Sequence, residues 1–181
     1  MSDFIIPSIT EIEFGARVAL LEAENLKYVH ANGNIPVPKV FATMTEPESD
    51  WNFIVMEYVN AQGLGEIWQF FTPAEKLDIS GRLHNMFDSF RKIPSPGYFG
   101  ALDRQPLPDG IFWTPEGEPE PSGPFETEEE LNKGIIPRLE ASEPASHSSL
   151  LRIAILVTLK GHFAVFTHGD LQPKNVLHSS A

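Results

Sequence analysis

Residues 165–177 read VFTHGDLQPKNVL. A short apolar run leads into His168-Gly169-Asp170, and Asn175 follows five positions after the aspartate. A hydroxyl that attacks a phosphoryl group needs an acceptor for its proton and a guide for its oxygen. One carboxylate, here Asp170, supplies both. A neutral amide oxygen a few residues on, here Asn175, can coordinate Mg²⁺ without adding repulsion against phosphates. Gly169 permits close backbone approach, and Pro173 stiffens the turn between the two side chains. His168 reads as a brace for the loop rather than as a base.

The segments around this stretch set its context. FAVF at 163–166 is expected to be a short buried strand leading into the loop. Residues 148–160, SSLLRIAILVTLK, read as a helix apolar nearly all round, hence central to a core. Upstream, WNFIVMEYV at 51–59 is the clearest strand, rich in aromatic and β-branched residues. Residues 17–31 read as a helix whose Val18, Glu22, Leu26 and Val29 share one face, with Glu24 on another. IPVPKVF at 35–41 follows as an extended, proline-fixed segment.

Residues 72–94 carry the marks of a second helix. Thr72 is placed to N-cap it, Pro73 suits its first position, and Glu75 completes a capping box. Ile79, Leu83, Met86, Phe87 and Phe90 form its apolar stripe, and Pro94 ends it. The segment 94–125 is rich in proline and glycine yet keeps Tyr98, Phe99, Phe112, Trp113 and Phe125. So many aromatic residues predict a loop packed on the body rather than a free linker. From 116 to 143 acidic residues dominate, as on a solvated face. Thr127 and Glu130 are placed to cap a short helix that Gly134 and Pro137 would disturb.

Composition narrows the function classes. The chain has 181 residues, with 13 Lys plus Arg against 25 Asp plus Glu, a formal net charge of −12. Such acidity argues against nucleic acid as the main partner, which demands basic surface. There is no cysteine, so disulfide partners, thiolate metal sites and a cysteine nucleophile are excluded. The N-terminus lacks the features of a signal peptide, and the most apolar segment, 150–159, is too short to span a bilayer. The expectation is a cytoplasmic protein without membrane or nucleic-acid partners.

FTHGDLQPKNVL, with its His-x-Asp-x4-Asn spacing, resembles the catalytic loop of the aminoglycoside phosphotransferase family. The resemblance extends to EAENLKYVHANGNIPVPKVF, NFIVMEYVNAQGLGEIW, IPSPGYFGAL and PSGPF, and it is strongest toward a fungal branch of that family. It implies an α+β, protein-kinase-like two-lobe fold with ATP and Mg²⁺ between the lobes and a small-molecule hydroxyl as acceptor. Residues 1–57 would be part of the β-rich lobe, and 58–181 part of the helical lobe, ending at the catalytic loop. Asp170 then matches the catalytic base and Asn175 a Mg²⁺ ligand. Glu57, Tyr58 and Val59 match the hinge that meets adenine, and Glu22 matches the helix glutamate that pairs with the ATP-binding lysine.

The chain also departs from the family pattern. The position aligned with the ATP-binding lysine, within TEIEFGARV, holds Glu13, and no lysine occurs before Lys27. No glycine-rich phosphate loop precedes it, and no second metal-binding aspartate follows the catalytic loop. The expectation is a fold truncated at both ends. Two readings follow: a phosphotransferase with impaired transfer, or a pseudokinase or fragment that acts, if at all, as a binding module. A third reading, a metal-dependent hydrolase using His162, His168, Asp170 and His178, lacks a common helical face for its histidines.

Overall fold

The computed structural model describes residues 10–16, 18–108, 110–112 and 122–178. Trp113 therefore lies outside the described residues. The fold is mixed α+β, and the chain forms two compact units. One comprises 1–93 with 166–181, and the other comprises 94–165.

The first unit is organised by a three-stranded antiparallel sheet. Strand β1 spans Thr10–Gly15, β2 spans Val40–Thr45 and β3 spans Asn52–Glu57, in the order β1-β3-β2. Between β1 and β2 the chain forms helix α1, Leu20–Asn32. Register places Glu11 opposite Met56, Ile12 opposite Val55, Glu13 opposite Ile54 and Phe14 opposite Phe53. Because strand side chains alternate, Glu11, Glu13, Ile54 and Met56 share one face. On that face Ile54 and Met56 form a buried cluster with Ala23 of α1, joined by Leu26 and Val40. The side-chain amide of Asn52 donates to the Val18 carbonyl at 2.8 Å, tying the approach to α1 onto β3.

The buried stripe of α1 therefore runs through Ala23, Leu26 and Val29, and Glu22 is exposed. The four-residue spacing from Val18 had placed Glu22 on the apolar face. The helix turns that position outward because Ala23, one residue on, fills the contact with the sheet. Glu24 pairs with Lys27 at 2.8 Å.

β3 ends at Glu57, so Trp51, Tyr58 and Val59 fall just outside the strand. A two-residue strand β4, Gln62–Gly63, and a one-turn helix α2, Leu64–Ile67, follow. Helix α3, Pro73–Phe90, begins with the expected capping box: Thr72 Oγ1 accepts from the Glu75 N–H, and the Glu75 carboxylate accepts from the Thr72 N–H. Such a cap stabilises a helix by about 1 kcal/mol. Phe90 joins Val29, Ile35 and Ile93 in a second buried cluster, with Met86, Phe87, Tyr28 and Phe166 packed against it.

In the second unit the proline-rich segment packs as its aromatics predict. Tyr98, Phe112 and Phe125 are buried, and Phe99 and Phe125 exchange backbone hydrogen bonds at 2.9 and 2.8 Å. The Tyr98 hydroxyl donates to the Ala101 carbonyl and accepts from the Arg104 N–H. Helix α4 runs Glu128–Ser142 without interruption through Pro137, contrary to the short helix expected. Thr127 caps it as predicted. Pro137 removes one N–H from the ladder, but Asn132, Gly134 and Ile136 are buried, α4 packs along the next helix, and three glutamates in its first turn favour the helix dipole.

Helix α5 spans Ala145–Thr158. It is not central to a core among the described residues: only Ser148 is buried, and Leu150 and Ile153 are 67% and 61% exposed. Residues 163–166 form no strand, and Phe163 is 88% exposed. An apolar tetrapeptide becomes a strand only as part of a ladder, and its composition alone does not supply one.

Candidate active site

The predicted catalytic loop enters the first unit at Phe166, whose ring stacks 5.7 Å from Tyr28 and 6.1 Å from Phe90. His168 meets Phe90 edge-on at 6.3 Å. Its Nδ1 accepts from the Asp170 N–H at 3.3 Å. Between them Gly169 adopts φ 77°, a left-handed conformation that a side chain would strain.

Asp170 is the hub of the loop. Its carboxylate accepts from Gln172 Nε2 at 2.5 Å and from Asn175 Nδ2 at 3.0 Å. The same Asn175 nitrogen reaches the Asp170 carbonyl oxygen at 2.9 Å. A 3-10 turn at Pro173–Asn175 brings Asn175 back to Asp170, closed by the bond from Asn175 N–H to the Gln172 carbonyl at 2.9 Å. Because Nδ2 is committed to the aspartate, Oδ1 of Asn175 is the oxygen it can offer a cation.

The far end of the loop is held against the segment that follows β3. Strand β5, Leu177–His178, pairs with β4, placing Gln62 opposite His178 and Gly63 opposite Leu177. The Leu64 N–H donates to the Val176 carbonyl at 2.8 Å. A Cβ at Gly65 would lie 3.4 Å from Pro173 Cβ, ordinary contact distance, so this turn packs directly on the loop. This ribbon fixes the loop relative to the predicted hinge within one compact unit. It escaped the sequence reading because two-residue strands leave no periodic signal.

At the hinge, the Glu57 N–H donates to the Lys39 carbonyl at 2.8 Å, and the Glu57 carboxylate accepts from the Lys39 N–H at 3.2 Å. Tyr58 is exposed and Val59 half-buried. Among the described residues no partner engages the N–H groups of Tyr58 and Val59, so both can meet a ligand edge.

On β1, Glu13 is half-buried. Burial pushes its carboxyl above the usual range, and the charges of Glu22 and then Glu11 push it the same way. The exposed Glu22 is thus near enough for its charge to oppose that of Glu13.

The residues present fit part of what ATP and Mg²⁺ require. Asn175 Oδ1 and the Asp170 carboxylate are two oxygen donors of the kind Mg²⁺ takes alongside phosphate oxygens, and the hinge N–H groups suit a base edge. The β1–α1 side does not fit, since its carboxylates would repel a triphosphate. Among the described residues no group of three or more His, Asp or Glu is placed to hold a metal ion. The hydrolase constellation does not form. His162 bonds to Glu128 at 2.5 Å in the other compact unit, His168 packs on Phe90, and the ring of His178 lies 5.1 Å from Phe71.

This loop, joined by a short ribbon to the exit of an antiparallel sheet in a mixed α+β fold, is consistent with part of a kinase-like fold. The model of the phosphotransferase enzyme family, the aminoglycoside phosphotransferases, matches residues 13–181, and the chain belongs to that family. No curated protein and no solved structure significantly matches the chain. Gln172 as a partner of Asp170 was missed from sequence, because a glutamine two residues from an aspartate carries no distinguishing signal.

Proposed function

We propose that this chain binds Mg²⁺-ATP between the hinge at Glu57–Val59 and the Asp170–Asn175 loop, and that its transfer of phosphate to a small-molecule hydroxyl is impaired. Phosphoryl transfer is the family's activity. The observation that carries the reading is the bond from Asn175 Nδ2 to the Asp170 carboxylate at 3.0 Å, which presets a proton acceptor beside a cation donor. Asp170 would take the proton of the attacking hydroxyl, Gln172 and Asn175 would hold its orientation, and Asn175 Oδ1 would turn toward Mg²⁺. Bound ATP supplies the transferable phosphoryl group.

Impairment follows from Glu13. Phosphoryl transfer depends on positioning and on neutralising charge, and a carboxylate at the lysine position opposes both. The same observation favours the second reading, a pseudokinase that holds nucleotide as a binding module. The proposal sets the chain in the cytoplasm, where ATP and Mg²⁺ are abundant, with no nucleic-acid partner for so acidic a surface.

The test is ADP formation with a panel of small hydroxyl compounds, comparing the unaltered chain, Asp170→Ala and Glu13→Lys. Impaired transfer predicts slow turnover that Glu13→Lys accelerates and Asp170→Ala abolishes. A pseudokinase gives no turnover in any of the three while still binding nucleotide. Absence of nucleotide binding overturns both readings.

A further inference from the structure

We propose that Asn32-Gly33 is a deamidation site, and that the last turn of α1 holds it in check. It is the one place in the sequence where glycine follows asparagine. Glycine leaves its own backbone nitrogen unshielded, and asparagine is among the thermolabile residues. Asn32 is exposed, so water reaches its side chain. The Gly33 nitrogen, once it loses its proton, attacks Cγ of Asn32. The N–Cγ bond forms, the Cγ–Nδ2 bond breaks, and Nδ2 departs as ammonia with that proton. Water then opens the cyclic imide at either carbonyl, leaving aspartate or isoaspartate at position 32. Water is the sole co-reactant, and nothing is oxidised or reduced.

Two hydrogen bonds oppose the first step. The Gly33 N–H donates to the Val29 carbonyl at 2.9 Å, closing α1 and retaining the proton that the attack must lose. Asn32 Nδ2 donates to the Tyr28 carbonyl at 2.9 Å, which holds the side-chain amide over the preceding turn. Attack therefore waits for local opening of that turn. Packing calls for glycine at this position. A Cβ at Gly33 would lie 3.3 Å from both Ile93 Cδ1 and the Val29 carbonyl oxygen, tighter than ordinary contact. The susceptible pair is thus built into the end of the helix and guarded by it.

The product would weaken the place that guards it. Val29 and Ile35 flank the pair and are buried with Phe90 and Ile93, and Phe166, at the entry to the Asp170 loop, packs against that cluster. A carboxylate at position 32 cannot donate to the Tyr28 carbonyl, and its charge at a helix C-terminus opposes the dipole. Isoaspartate also routes the main chain through the side chain, adding a backbone carbon between Val29 and Ile35. The inference does not rest on nucleotide binding, since it uses the end of α1 and the cluster beside it.

Peptide mapping by mass spectrometry of the full chain, aged in mildly alkaline buffer with and without urea, tests this. The expected result is deamidation at Asn32 that is slower in the folded chain by about tenfold or more, because opening of the turn limits it. Phe166→Ala, which loosens the cluster, should speed deamidation in buffer and leave the rate in urea unchanged. Asn32→Asp should lower the melting temperature and raise hydrogen exchange across residues 29–35. Circular dichroism verifies that each variant is folded. Equal rates with and without urea, or no deamidation of Asn32 in urea, overturns the proposal. So does an Asn32→Asp chain that melts and exchanges like the unaltered one.

Discussion

The side-chain amide nitrogen of Asn175 donates to both the carboxylate and the carbonyl oxygen of Asp170, at 3.0 and 2.9 Å. Two residues five apart are thereby locked into a single unit. Both are exposed, so the lock serves orientation more than global stability. Asn175→Ala should cost about 1 kcal/mol or less in chemical denaturation, the net worth of an exposed side-chain hydrogen bond. It should nevertheless remove Mg²⁺-dependent nucleotide binding, measured by calorimetry.

Phe166 should matter more for folding than any polar residue of the loop. Its ring is stacked between Tyr28 and Phe90, joining the loop to the cluster of Val29, Ile35 and Ile93. Phe166→Ala is expected to destabilise the chain by about 2–3 kcal/mol, below the full cost for a buried ring because Phe166 is only partly covered. Hydrogen exchange at His168–Asn175 should rise with it, which a thermal melt and exchange mass spectrometry will read together.

Glu13 gives a pH dependence of defined sign. Its folded-state pKa is raised above 4.5, first by burial and then by Glu22 and Glu11. Between 4.5 and the raised value the folded chain holds more protons than the unfolded one. The contribution of Glu13 to stability therefore increases as pH falls through that window, and above it the charged carboxylate is a cost. Glu13→Gln should stabilise the chain at pH 7 by less than about 1 kcal/mol after solvent screening, and the difference should shrink as pH approaches 4.5. Denaturation of both proteins across that range checks the sign.

Glu128 titrates the other way. Its carboxylate accepts from His162 Nδ1 and from the N–H groups of Gly161 and His162, and the His162 bond is the largest cause of its lowered pKa. Stability from this group is full above 4.5 and is lost as pH falls through the lowered folded value. Glu128→Ala should lower the melting temperature at neutral pH and speed hydrogen exchange at Gly161 and His162. The melting difference should vanish in acid.

Much of this architecture is legible in the sequence where one residue type has one physical use. Thr72, Pro73 and Glu75 announce the start of α3, and the aromatic run of β3 announces a strand. Asp170 and Asn175 stand out by their spacing together with the family resemblance of FTHGDLQPKNVL. What escapes the sequence depends on neighbours. Residues 163–166 look like a strand, but strand formation needs a partner ladder. The apolar positions of α5 look like core, but burial depends on what packs against them. Pro137 looks like a helix stop, yet the contacts of Asn132, Gly134 and Ile136 carry α4 through it. Glu22 shows how one helical step decides a role, for Ala23 takes the inward position.

The most direct measurement is thermal unfolding of the chain with ATP, with Mg²⁺, and with both. Selective binding to the folded state raises the melting temperature by mass action. The account predicts a rise with ATP and Mg²⁺ together that exceeds any rise with ATP alone, and that disappears in Asn175→Ala. No shift at millimolar Mg²⁺-ATP, or an equal shift in Asn175→Ala, would contradict the role assigned to the Asp170–Asn175 pair.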